Sequence, residues 1–253
     1  MVPLIHYGLW GHAWGDYKRM ARGLAQVGAR ERVSVCDLGG GAKPVLPLSF
    51  IEEHDLDYVV VDISDEELDK APHDYRKLRD DVTRTGLAIG SYDVVLSQFL
   101  IEHIRDARQL HANVFSMLNP GGHALHFFPT LYGPPFLVNR LVPEHVTAPL
   151  LQRLQSGREP EGESAKFRAY YRWCRGPTAR QIARFEDVGF DVEEYVGYFG
   201  HGYFERFPWL EFLQRRVMDG LLRRPMAALT TFAIAKLGKP IQTKNDAVAR
   251  HAA

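Results

Sequence analysis

The sequence predicts an α/β fold, a mostly parallel sheet with helices wound on both faces, and three observations carry that reading. Short, nearly continuous apolar runs recur at 33–38, 57–64 and 91–99, the pattern of strands buried on both faces. Segments with helical apolar spacing lie between them, and that alternation reads as βαβ units. The first run ends in Gly39-Gly40-Gly41, at the point where such a strand hands over to its loop.

The elements follow in order. Residues 16–29 place Met20, Leu24 and Val27 at helical spacing behind Asp16, a residue type that caps helix N-termini. Val33, Val35, Cys36 and Leu38 form a first strand, residues 57–64 a second, residues near 75–78 a weaker third and residues 91–99 a fourth. Ser64 and Glu67 make a capping box that opens a short helix over 64–71. Residues 105–118 carry Leu110, Val114 and Leu118 in a longer helix, ended by Asn119-Pro120-Gly121-Gly122, and 123–128 begin a fifth strand. The rhythm breaks over 130–177, which is rich in proline and holds the aromatic cluster Phe167, Tyr170, Tyr171 and Trp173. This stretch is expected to be a helical lid inserted over the sheet. Residues 178–188 then read as a helix capped by Gly189, 190–198 as a strand, 204–224 as an amphipathic helix and 228–237 as a last strand. The expectation is a single domain over 1–253, with core sheet at 31–129 and 178–240 and a disordered polar tail at 241–253.

Composition narrows the functional classes. The 253 residues carry 31 basic and 31 acidic side chains, a net charge of zero that argues against nucleic acid as a partner. The only two cysteines, Cys36 and Cys174, form no CxxC pair and lie near no histidine at metal-ligand spacing. A reduced, cytoplasmic protein with both thiols packed is the simplest expectation. The first fifteen residues lack a basic region followed by a long apolar stretch, so no secretory leader is expected.

The chemistry concentrates at Asp37-Leu38-Gly39-Gly40-Gly41. Glycines there let a ligand approach the backbone closely, and a following helix N-terminus favours a negative group. A plain strand-to-helix turn would look the same. Asp62 ends the second strand, 25 residues past Asp37. An acid at that tip can accept both ribose hydroxyls of an adenosine, or it can cap the next helix, a role Ser64 also fills. The pattern is wrong for a dinucleotide dehydrogenase, because Pro44 stands where GxGxxG needs its third glycine. An acid ahead of the turn also suits a cationic amino-acid end better than a pyrophosphate.

The collinear segments VCDLGGGAKP, VVVDIS, LRDDV, SYDVVLSQFLIEHI, MLNPGGHALHFFP and DVGFDVEEY span about residues 33–195. Together they resemble class I S-adenosylmethionine-dependent methyltransferases, particularly the group that methylates small molecules. The resemblance implies a Rossmann-like, doubly wound, seven-stranded sheet whose last strand, within TFAIAKLGKP, is antiparallel. It implies S-adenosylmethionine as cofactor and S-adenosylhomocysteine as product. Asp37 and Gly39 would line the methionine end, with Gly41 in the same turn. Asp62 would hold the ribose hydroxyls and Ile63 would pack on the adenine. Asp81 would accept from the adenine amino group, with Val82 beside the ring. Ser97 and Gln98 would face cofactor and acceptor, and His103 occupies a common family position near the site. Gly40 is an addition to the usual alternating glycine motif and Lys43 replaces its last glycine, which leaves the pose of the methionine tail open.

Methyl transfer asks the protein mainly to align the acceptor and remove its proton. For a hydroxyl acceptor histidine is the default base, and the candidates are His145, His201 and His103. His126, alternating with Leu125 and Phe127, reads equally well as a core histidine. The expected acceptor is a small molecule, or a group on a glycan or lipid-linked carrier, methylated on oxygen. The stretches PFLVNRLVPEH and AYYRWCRGPT look like methyltransferases of cell-surface glycan or lipid synthesis. Tyr170, Tyr171, Arg172 and Trp173 are either walls of the acceptor pocket or the glue between lid and sheet. Residues 208–224 form a basic amphipathic helix that either packs on its own protein or lies in a membrane interface. No compact motif calls for a metal. Two alternatives stand beside this reading: a non-catalytic module that keeps the cofactor fold, and a nicotinamide-dependent oxidoreductase. The intact acids Asp37, Asp62 and Asp81 argue against the first, and Pro44 with the Asn119–Gly122 turn argues against the second.

Overall fold

The computed structural model describes residues 2–27, 32–84, 89–131, 168–204 and 207–241. Its eight strands are β1 (Leu4–Leu9), β2 (Ser34–Leu38), β3 (Asp57–Asp62), β4 (Arg76–Arg79), β5 (Tyr92–Gln98), β6 (Leu118–Pro129), β7 (Asp191–Phe199) and β8 (Phe232–Gly238). They form one sheet in the order β1-β7-β8-β6-β5-β2-β3-β4. All neighbours are parallel except the two pairs made by β8, which runs antiparallel between β6 and β7. From β2 the chain moves outward to β3 and β4, then returns to lay β5 on the other side of β2. That reversal opens a crevice at the carboxyl ends of β2 and β5, the place where such sheets bind ligands.

Helices α1 (Trp10–Gln26), α2 (Leu48–Glu53) and α3 (Asp65–Lys70) cover one face, and α4 (Ala107–Met117) and α5 (Ala179–Glu186) cover the other. Alternation along the strands feeds both layers. In β3, Val59 and Val61 join the α4–α5 core, whereas Tyr58 and Val60 join the α1 core. A sixth helix, α6 (Pro208–Arg223), packs near β7 and β1.

The predicted α/β architecture and its antiparallel last strand are found, with one strand more than the expected seven. The addition is β1, a half-exposed edge strand in register with β7 from Leu4–Glu194 to Leu9–Phe199. Its six residues carry no clean alternation to mark them, and they pair with residues as distant in sequence as Leu4 is from Glu194, a contact no local pattern encodes. α2 was not foreseen either. α1 begins at Trp10, so Asp16 lies inside the helix, accepting from the Tyr198 hydroxyl at 2.9 Å and pairing with Arg19 at 2.8 Å. The Asn119–Gly122 stretch is part of β6 rather than a separate turn before it; the Gly121 amide donates to the Lys239 carbonyl and the Lys239 amide donates back to Gly122, both at 2.8 Å. Half of the capping box forms: Ser64 Oγ accepts from the Glu67 amide at 3.3 Å, while the Glu67 carboxylate turns to Lys70 at 2.6 Å. Most of the expected lid, with His145, and the expected tail from 242 onward lie outside the described residues.

Candidate active site

The glycine turn leaves β2 under tight constraint. The Gly39 amide donates to the Val61 carbonyl at 2.7 Å and the Lys43 amide to Gly40 at 2.8 Å, which folds the turn back onto β3. Gly39 has φ +70°, and a Cβ there would stand 2.9 Å from Leu100 Cδ1. At Gly41 an added Cβ would stand 2.9 Å from Asp62 Oδ2. The absent side chain is therefore what lets the backbone lie against the carboxylate at the tip of β3.

Asp37 sits beneath this turn, fully buried. Its Oδ2 accepts from the Val45 amide at 2.7 Å and from the Tyr58 hydroxyl, while Oδ1 has no hydrogen-bond partner. Burial pushes its carboxyl up to about 7, against the opposing pull of Tyr58 and Val45 and with help from the charge of Asp62. One oxygen thus fixes the loop, and the other remains to accept a cationic or N–H donor. Asp62 is half-buried; Oδ1 accepts from the Ser64 amide at 3.0 Å, and Oδ2 lies beside Gly41. Burial raises its carboxyl too. Ile63, the next residue, is 51% exposed, an apolar surface next to that acid. Asp81 is more committed: Oδ1 accepts from the Thr83 amide and hydroxyl at 3.0 and 2.7 Å, and Oδ2 faces Arg84 at 3.3 Å. The Thr83 hydrogen bonds hold its carboxyl below the usual carboxylate range. Val82 is buried in the α4-side core.

At the tip of β5, Gln98 reaches across the crevice and donates to the Lys43 carbonyl at 2.7 Å, tying β5 to the glycine turn. Ser97 points the other way. Its side chain is buried, with Oγ 2.8 Å from His126 Nδ1, and its carbonyl accepts from the Tyr17 hydroxyl at 2.9 Å. Alternation puts Ser97 on the same face of β5 as Val95 and His126, toward α4. His126 is a core histidine, as one of its two readings had it, edge-on to His111 at 5.3 Å between ring centroids.

The histidines divide by position. His103 lies in a single 3-10 turn, Ile101–His103, directly after the β5 tip, partly exposed and 3.9 Å from Glu102 Oε1. Glu102 is buried, and desolvation pushes its carboxyl up to about 8; its carbonyl accepts from the Tyr170 and Tyr171 amides, pinning that segment to the strand tip. His201 is 5% exposed, edge-on to Phe204 at 4.7 Å, and burial pushes its ring down to about 4.

The aromatic cluster beside the crevice was missed by sequence reasoning. Phe99, immediately after Gln98, has φ +51°, a strain of about 1 kcal/mol for a non-glycine residue. That conformation accompanies packing of its ring 5.2 Å from Trp14 and 4.9 Å from Phe127, with Phe232 at 6.0 Å. Trp14 keeps 42% of its surface exposed. The rings come from α1, the residue just after β5, β6 and β8, and the positive φ at Phe99 leaves no mark in a sequence. Among the described residues, no group of three or more His, Cys, Asp or Glu could hold a metal ion.

Comparison with known proteins gives the same picture. A family model described as a methyltransferase domain matches residues 13–195. No curated protein matches the sequence. Among solved structures, an S-adenosylmethionine dependent methyltransferase from Mesorhizobium loti aligns at TM-score 0.56 and 17% identity, covering 88% of this chain and 98% of its own. An S-adenosylmethionine dependent methyltransferase from Archaeoglobus fulgidus aligns at 0.53 and 15%, covering 88% and 93%. Phosphoethanolamine N-methyltransferase 2 of Haemonchus contortus, in complex with S-adenosyl-L-methionine, aligns at 0.52 and 17%, covering 90% of this chain and 53% of its own. These likenesses show the fold.

Proposed function

Because the chain belongs to the methyltransferase domain family, we propose that it transfers a methyl group from S-adenosylmethionine to an oxygen of a small molecule or of a glycan or lipid-linked acceptor. The observation that carries the cofactor reading is the Gly41 backbone lying against Asp62 Oδ2, with the buried, unpartnered Asp37 Oδ1 beneath the same turn. An acid in that position fits a ribose diol, and an orphaned carboxylate oxygen fits the ammonium of an amino-acid end. Asp62 would hold the ribose and exposed Ile63 would support the purine. Asp81 would take the adenine amino group on the oxygen it shares with Arg84. Gly39 and Gly41 leave room for the methionine tail, and Gln98 braces the turn through Lys43. When bound, the cofactor supplies an electrophilic methyl on a sulfonium, so the chain's own residues align the acceptor and accept its proton.

Exposed Trp14, backed by Phe99 and Phe127 with Phe232 behind them, would give the acceptor an apolar wall to pack on. His103 is the described histidine best placed to take a proton, being partly exposed one turn past β5. The test is calorimetric titration of S-adenosylhomocysteine into wild type and Asp62→Ala. Binding that the substitution weakens by about tenfold or more, some 1.4 kcal/mol, is the expected outcome. Absence of binding to wild type would overturn the cofactor reading.

A further inference from the structure

The composition of 208–224 leaves its orientation open, and the burial of α6 settles it. Met218 is buried and Leu210, Gln214, Leu221 and Leu222 are half-buried against the body of the protein. Trp209, Phe212, Leu213 and Val217 point away, 67%, 65%, 55% and 55% exposed. At about 100° per residue, Phe212, Leu213, Arg216, Gly220, Arg223 and Arg224 all project within about 60° of Trp209. One stripe therefore carries large apolar side chains in its first half and arginines in its second. The Arg216 guanidinium lies over the Phe212 ring, 6.0 Å from its centroid. The acids of this helix lie off the stripe: Glu211 holds Arg215, and Asp219 flanks it. Phe207 before the helix and Met226 and Leu229 after it are also exposed.

Exposed apolar surface of this extent marks an interaction site, and the arginines on the same stripe say what kind. The occupant must take up Trp, Phe and Leu side chains and meet guanidinium groups with negative charge over one convex face. A bilayer containing anionic lipid does both, accepting aromatic rings at the headgroup level and arginines on its phosphates. We propose that α6 docks this chain on an anionic membrane surface through Trp209, Phe212 and Leu213, with Arg216, Arg223 and Arg224 on lipid phosphates. α6 follows the carboxyl end of β7, the same end of the sheet's strands as the glycine turn after β2. If the methyl-transfer reading holds, docking presents that end of the sheet to acceptors carried in the membrane.

The test is flotation of the full chain with vesicles of phosphatidylcholine, with and without phosphatidylglycerol. Binding is expected only when phosphatidylglycerol is present, and it weakens as salt rises. The Arg216→Gln, Arg223→Gln, Arg224→Gln triple variant should bind roughly tenfold more weakly or worse, and Trp209→Ser with Phe212→Ser should abolish retention. No binding by wild type, or equal binding by the arginine variant, would overturn the proposal. So would light scattering that finds a dimer which the Trp209→Ser, Phe212→Ser variant splits, since the face would then belong to a second copy. Should the triple variant fail to fold, the salt dependence of wild type decides alone. Titration of S-adenosylhomocysteine into the same samples separates the two readings: its failure would sink methyl transfer and leave the membrane result standing.

Discussion

His103 and His201 differ in what surrounds their rings, and under the proposed reaction that difference would separate a base from a packing residue. A general base must reach the proton it takes and hold a pKa near the working pH. His201 is buried against Phe204 and its ring is pushed down to about 4, so it stays neutral but accepts a proton poorly. His201→Ala is expected to lower the melting temperature and leave kcat within about twofold, whereas His103→Ala lowers kcat about tenfold or more with cofactor affinity retained. Steady-state kinetics beside calorimetry would check both, and a kcat loss at His145→Ala instead would move the base into the 132–167 segment. At this scale the sequence was informative where one strand alone sets the outcome. Asp62 needed only the end of an apolar run, and Gly41 only the turn after one. The surroundings of Ser97 depend on which face of β5 the helix α4 covers, and the partnership of Asp37 with Tyr58 joins residues on neighbouring strands. Neither is encoded locally.

Helix ends show the opposite balance, because caps are local chemistry. Ser64, Asp106 and Thr178 each accept from the amide three residues on, at 3.3, 3.0 and 3.3 Å. Thr178 matters most for the architecture, since α5 buries Ile182 and Phe185 against the sheet. Thr178→Ala should cost about 1 kcal/mol of stability, mostly restored in Thr178→Ser, as read from denaturant midpoints with an unchanged slope. A loss below a few tenths would mean the α5 end is held by packing alone. α1, by contrast, starts at Trp10 with no side-chain cap, so cap chemistry points instead to Asp16, well inside the helix. α6 defeated periodicity for a different reason. Leu210, Met218, Leu221 and Leu222 form one apolar face and Trp209, Phe212, Leu213 and Val217 another, and no pattern says which is buried.

For the molecule as a whole, buried titratable groups set opposing slopes of stability with pH. Asp37 and Glu102 keep their protons in the fold to about 7 and about 8, whereas an unfolded carboxylate gives its proton up near pH 4. Their contribution is fully present at low pH and is lost as pH rises through those values. His111 and His201 act in reverse, with rings pushed down to about 4. The unfolded chain protonates them below about 6.5, so the fold loses stability as pH falls across that window. Between about pH 6.5 and 8.5 only the carboxyl slope remains. The melting temperature of the cofactor-free protein should peak near neutrality and fall on the alkaline side, with Glu102 supplying up to about 2 kcal/mol of that fall. Glu102→Gln should flatten the alkaline limb, and a wild-type melting temperature that rises toward pH 8.5 would contradict a buried, protonated Glu102.

β8 lies between β6 and β7 although it follows both in the chain. On a ribosome, β6 and β7 therefore emerge with their facing edges unpaired, and each holds a row of amide and carbonyl groups open until residues 232–238 arrive. Local helices can form early, but the halves of the sheet on either side of β8 cannot be joined before it inserts. The interval before β8 emerges is when this chain is most exposed to pairing with a neighbour. The strand that closes the sheet thus also sets the timing of its assembly.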